Sequence, residues 1–221
     1  MWAQKMGNSL SNIDYKKKKT NPTLDSDTSL YRLPFFKDEE FFSNIDNYIG
    51  FIKSVENQVR TAKHYARYIK YIKEDVGLDF CQVLSNVRAL EEDSTEIEMH
   101  HGPIFTLFDY ASVITFHMLA HGKKVTTFSV ANTLLQEHFD NHVQIVMLSK
   151  TVHEEVHNGE IFINTRQAFG DINAFFSKYR DGISNDMVQK INRHIEMSEK
   201  YDSFDNGALK LSDSIKSWAR F

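Results

Sequence analysis

Two stretches decide how this chain is read: Glu98-Met-His-His-Gly-Pro103 and Gln144-Ile-Val-Met-Leu-Ser-Lys-Thr-Val-His-Glu-Glu-Val-His157. The first closes the segment Thr95 to His101 (TEIEMHH), in which Ile97 and Met99 alternate with polar residues, the period of a half-buried strand, and Gly102-Pro103 ends it. In the second, Val143 to Leu148 reads as a short buried strand, Ser149 as a helix cap, and the helix that follows stops at Gly159. Four residues make about one helical turn, so His153 and His157 share a face directed back toward the strand, where two imidazoles can reach one divalent ion. His100 and His101 alternate across their strand and cannot easily bind the same ion, so one can ligate while the other handles a proton. Glu98 lies on the His100 face, placed to orient that ligand.

Eight of the ten histidines fall between positions 100 and 157, which concentrates nearly all the near-neutral titrating capacity of the chain there. The pairs His117/His121 and His138/His142 have the same spacing as His153/His157. His117 and His121 read as structural, on an apolar helix and at its C-terminal end, where a cation complements the dipole. His138 and His142 read similarly as structural, near a helix end, though they flank the proposed site in sequence and could contact substrate.

Outward from this centre the chain is mostly helical. Apolar residues from Phe41 to Val76 recur at steps of three and four, predicting two helices or one broken helix, with Gly50 as the interruption and Gly77 as the stop. Residues 81–90 are ambiguous between strand and helix, and the acidic cluster 91–94 reads as a loop. Helices are expected over 105–120 and 129–139, the latter capped by Ser129. A strand-like IFIN at 161–164 follows, then helices near 171–179 and 185–201 and a short one ending at Trp218. The fold class is α+β, mostly helical, with a small ββα core between helical flanks. The division expected is a flexible tail over 1–30, a helical region over 31–94, the core over 95–164 with a helical insertion at 104–142, and a C-terminal helical region over 165–221.

The 221 residues carry 26 Lys and Arg against 30 Asp and Glu, a net charge of −4, which argues against coating nucleic acid by bulk charge. Residues 1–90 hold 14 basic and 11 acidic residues, so the positive excess is N-terminal. Within it, Arg60, Lys63, Arg67, Lys70 and Lys73 form a basic stripe at helical spacing, interleaved with Tyr65, Tyr68 and Tyr71, and suited to phosphate-backbone contact. Lys16 to Lys19 reads as a solubilising element of the tail. The single cysteine, Cys81, excludes an internal disulfide and a Cys-based zinc site, and reads as a core residue in an intracellular, cytoplasmic protein. Neither a transmembrane span nor a secretory signal is expected.

The arrangement resembles the HNH, or His-Me finger, nuclease superfamily, in the variety found in nuclease colicins and in proteins encoded by bacteriophages. The match covers about 60 residues and rests on EMHHGP and on two offsets, nine from Gln144 to His153 and four from His153 to His157. The resemblance implies that His100, His153 and His157 bind one divalent metal ion, that His101 is the general base, and that Glu98 supports a ligand. Gln144 stands where the family has an Asn that braces the loop before the second strand, with Asn141 as a substitute. The implied activity is metal-dependent endonuclease hydrolysis of DNA phosphodiesters, in the host cytoplasm if the chain is phage-encoded. Zn, Ni, Mn or Mg could serve, and three imidazoles favour the transition metals, Co among them, over Mg. The alternatives are a catalytically inactive relative that keeps a structural metal and binds nucleic acid or protein, and a helical virion-associated protein whose histidines are incidental.

Overall fold

Asp38 accepts the amide of Phe41, and Asn44 accepts those of Asp46 and Asn47, so side-chain caps start both α1 (Glu39–Ser43) and α2 (Ile45–Thr61). The computed structural model describes residues 36–84 and 96–200. The expected tail over 1–30, Lys16 to Lys19, the acidic loop at 91–94 and the helix ending at Trp218 lie outside the described residues. Of the ambiguous stretch 81–90, the described part, 81–84, is neither helix nor strand.

The helical break falls at Ala62, not at Gly50. Ala62 has ψ 135°, and α3 (Lys63–Glu74) restarts beyond it without a side-chain cap. At Gly50 a Cβ would meet nothing within 4 Å, so glycine costs α2 only its propensity, about 1 kcal/mol. At Ala62 the chain must turn so that Tyr65, Tyr68 and Ile72 become buried, and this packing demand carries no Gly or Pro signature. Gly77, at φ +81°, follows the end of α3 as expected.

β1 (Ile97–His101) and β2 (Ile145–Ser149) pair antiparallel, with Glu98 opposite Leu148, His100 opposite Val146 and His101 opposite Ile145. A two-stranded ribbon is marginal alone. Here β2 is buried along its whole length and its outer edge is satisfied by other segments. The Gln82 amide donates to the Met147 carbonyl at 2.8 Å, the Met147 amide donates to Gln82 Oε1 at 2.6 Å, and Ile145 and Phe169 exchange two bonds of 2.9 Å. Cys81 is buried beside this edge, as expected of a core residue.

Between the strands, Thr106 and Asp109 form a capping box that opens α4 (Leu107–Ala120), whose residues Tyr110 to Thr115 are all buried. α5 (Thr127–Phe139) is capped by Thr126. Ser129, expected as the cap, is the reciprocal partner three residues in. α6 (Lys150–His157) continues directly from β2, and its first amide is taken by the Glu96 carbonyl, since Ser149 holds the cap position without a side-chain bond. The segment 161–164 forms no strand and leads into a 3-10 turn over Thr165–Gln167, followed by α7 (Ile172–Tyr179) and α8 (Asn185–Lys200). Gly182 lies so close to α4 that a Cβ there would sit 2.0 Å from the Val113 carbonyl oxygen. The structure is thus α+β and mostly helical, with strands and helices sharing one hydrophobic core. Among the described residues, no helix is long and apolar enough to cross a membrane.

Candidate metal centre

The alternation of β1 and the turn of α6 do what the spacing implies. Ligand atoms of His100, His153 and His157 all lie within 4.8 Å of one another, and the Nε2 atoms of His153 and His157 are 3.0 Å apart. The His100 ring is 5.0 Å from that of His153 and 5.1 Å from that of His157. Burial, reinforced by the two neighbouring imidazoles, pushes the pKa of His100 down to about 4. It is therefore neutral near pH 7, the form a metal requires.

Glu98 supports a different ligand from the one expected: it takes the Nδ1–H of His153, not a bond from His100, at 2.5 Å. The register explains this. Glu98 stands opposite Leu148, at the end of β2 from which α6 departs, so its carboxylate reaches the first turn of the helix. With Nδ1 protonated and held, Nε2 of His153 carries the lone pair that faces the other two rings. Three imidazoles, one oriented by a carboxylate, suit a divalent transition metal ion, with room for water or substrate in its remaining positions.

His101 points to the other side of β1 and is 5% exposed. Its Nε2 lies 3.0 Å from Nε2 of His138, whose Nδ1 lies 2.7 Å from the Leu134 carbonyl oxygen. The Tyr65 ring stacks on His101 at 6.1 Å with an interplanar angle of 12°, and Tyr68 packs edge-on against His138 at 5.2 Å. Burial holds His101 well below its ordinary value and His138 at about 4. His138 is thus buried inside the fold, in keeping with a structural histidine near a helix end, and is the partner of His101, a contact no spacing rule connects across 37 positions. His142 is occupied by Glu137, to which its Nδ1–H donates at 2.7 Å.

Gln144 braces the loop through its main chain, not its side chain. The Gly102 amide donates to its carbonyl at 3.3 Å, and its own amide donates to the Tyr110 hydroxyl at 2.9 Å. Its buried side-chain amide has no hydrogen-bond partner among the described residues, nor has Oδ1 of Asn141. Asn141 contributes instead through its backbone, at φ +57°, with its carbonyl accepting the Asp171 amide.

A cleft of about 260 Å³ lies against the site, lined among others by Arg60, His100, His101, Thr106, His153 and His157. The basic stripe divides around it. Arg60 stands on the cleft wall, 3.8 Å from Glu56 and half exposed. Lys63 and Arg67 are exposed on α3, Lys70 is 3.5 Å from Glu74, and Lys73 donates to the Ile97 carbonyl at 2.7 Å, tying α3 to β1. Tyr65 and Tyr68 face the core, so of the interleaved aromatics only Tyr71 is exposed.

Among the described residues, two other groups bring possible ligand atoms together: His117, His121 and Asp181, and Glu137, Asp140 and His142. In the first, His121 Nδ1–H donates to the His117 carbonyl, closing the helix end, and Lys123 and Lys178 both bear on His117. In the second, the Glu137 carboxylate is filled by Lys178, Tyr179 and His142.

The molecule is thus a mostly helical α+β protein that presents a histidine cluster from a two-stranded ribbon and the helix after it. A family model described as bacteriophage G278-like virion protein matches residues 1–216, and the chain belongs to that family. No curated protein and no solved structure matches it.

Proposed function

We propose that the chain is a metal-dependent endonuclease of the HNH kind, cutting DNA phosphodiester bonds. The observation that carries this reading is that His100, His153 and His157 converge on a cleft that His101 and Arg60 also line. His100, His153 and His157 would hold one divalent ion, which when bound supplies Lewis-acid polarisation of the phosphate and charge stabilisation at the leaving 3′ oxygen. Glu98 keeps the His153 proton on Nδ1 and its ring aimed at the other ligands. His101, neutral near pH 7, accepts the proton of the attacking water. Arg60 meets a phosphate at the cleft wall, with Lys63 and Arg67 beyond it as backbone contacts. The virion description of the family fits an enzyme that travels with the phage particle and meets DNA in the host cytoplasm.

The test is cleavage of supercoiled plasmid by wild type and His101→Ala with Mg, Mn, Ni or Zn and with a chelator. The expected result is metal-dependent nicking by wild type and a loss of at least about 100-fold in His101→Ala at unchanged metal stoichiometry. A wild type that binds its ion but cuts nothing overturns the nuclease and leaves a second reading, a structural metal clip in a binding module. The nearly complete burial of His101, and the Gln144 side-chain amide that finds no partner among the described residues, favour that second reading.

A further inference from the structure

The two buried histidines carry more information than their proximity. A carbonyl oxygen only accepts, so the 2.7 Å contact to Leu134 requires the proton of His138 to sit on Nδ1. Nε2 of a neutral His138 is then a lone pair, and the 3.0 Å contact between the two Nε2 atoms can form only if His101 supplies the proton. The opposite assignment would set two lone pairs against each other at Leu134. His101 is therefore protonated on Nε2 and bears its lone pair on Nδ1. Tyr65 lies parallel over the ring and resists its rotation, while Tyr68 confines His138.

We infer that His138 is a positioning residue: it holds the His101 proton on Nε2, so that the Nδ1 lone pair serves the cleft. The inference rests on the nuclease reading for its consequence, though not for the tautomer itself. In the reaction, water gives a proton to Nδ1 of His101, the resulting hydroxide pair forms the new phosphorus–oxygen bond, and the bond to the 3′ oxygen breaks with its pair on that oxygen. His101 becomes an imidazolium whose Nε2–H remains bonded to His138, so the acceptor required before proton transfer also stabilises the product of that transfer. No residue on β1 or α6 supplies such an acceptor. It comes from α5, within the segment that separates the two halves of the site in sequence.

The tautomer is read by nitrogen-15 NMR of the full-length chain with one equivalent of Zn, and the consequence by plasmid cleavage with the metal that supports it. Two variants are compared, His138→Phe, which removes the acceptor, and His138→Gln, whose Oε1 can replace it. We expect wild-type His101 to show the Nε2–H pattern and His138→Phe to lose it. Cleavage should fall by about 100-fold in His138→Phe with Zn stoichiometry intact, and recover to within about tenfold in His138→Gln. An Nδ1–H pattern in wild type overturns the inference. So does a His138→Phe that keeps both the wild-type pattern and the wild-type rate. If wild type shows the Nε2–H pattern but cuts no DNA with any of the metals, the nuclease reading fails while the tautomer assignment stands.

Discussion

Two carboxylate–histidine pairs in this molecule look alike and do different work. In each, a histidine Nδ1–H donates to a glutamate, His153 to Glu98 at 2.5 Å and His142 to Glu137 at 2.7 Å. Glu137 is 1% exposed, and its other oxygen receives Lys178 Nζ and the Tyr179 hydroxyl, both at 2.6 Å. Burial alone would raise its pKa, but the bonds from Lys178, Tyr179 and His142 outweigh burial and hold it below the ordinary value. That anion is consumed inside the fold, joining α5 to α7. Glu98 is about one-third exposed, and the far nitrogen of its histidine faces two more imidazoles. What separates the filled pair from the open one is whether the chain's own donors occupy the remaining atoms.

The largest effect should come from emptying the open pair. His153→Ala with His157→Ala removes two of the three proposed ligands, and Zn affinity measured by calorimetry should fall by more than about 1000-fold. If the double variant keeps wild-type affinity, the ion binds elsewhere and the comparison collapses. Next is the filled pair, where Glu137→Gln should lower unfolding free energy in urea by about 3 kcal/mol while leaving Zn stoichiometry unchanged.

The pH dependence sharpens the same contrast. Because the Glu137 pKa is depressed in the fold, its contribution is complete above its ordinary value of 4.5 and is lost as pH falls through the folded value. His138 and His194 fold neutral, with values near 4 against an ordinary 6.5, so between those limits the unfolded chain binds more protons and stability is lost as the pH falls from 6.5 toward 4. Each adds a slope of at most about 1.4 kcal/mol per pH unit. Glu137→Gln should therefore flatten the stability curve below pH 4.5 and leave the slope above it, as urea titrations across pH would record. Smaller again is Glu98→Gln, which frees His153 without removing it. Zn affinity should drop by about 10- to 100-fold with little change in stability.

These contrasts also show what the sequence could and could not display. The ribbon, the α6 cap position and the three converging histidines were legible, because period-2 alternation and a four-residue step are local geometry. The partner of Glu98 was not, since its choice of His153 over His100 depends on the register that sets Glu98 opposite Leu148. Nor was the His101–His138 contact, which joins a strand to a helix through tertiary packing. That Tyr65 and Tyr68, interleaved with the basic stripe, face the core was not legible either, because their spacing fits a wet face and a buried one equally and the unmarked turn at Ala62 decides between them.

The smallest effect tests how tightly the loop after β1 confines the open site. A Cβ at Gly102 would stand 2.8 Å from Nε2 and 2.9 Å from Cδ2 of His100, closer than real side chains approach. The obstruction is one imidazole and not backbone, so the ring can yield by rotating, and Gly102→Ala should cost the fold little. Rotation moves His100 away from the geometry it shares with His153 and His157, whereas Glu137 and its three donors are untouched. The expected outcome is a several-fold loss of Zn affinity with wild-type urea stability. A loss of stability without a change in affinity would mean that Gly102 is needed by the backbone instead, at the point where its amide bonds the Gln144 carbonyl.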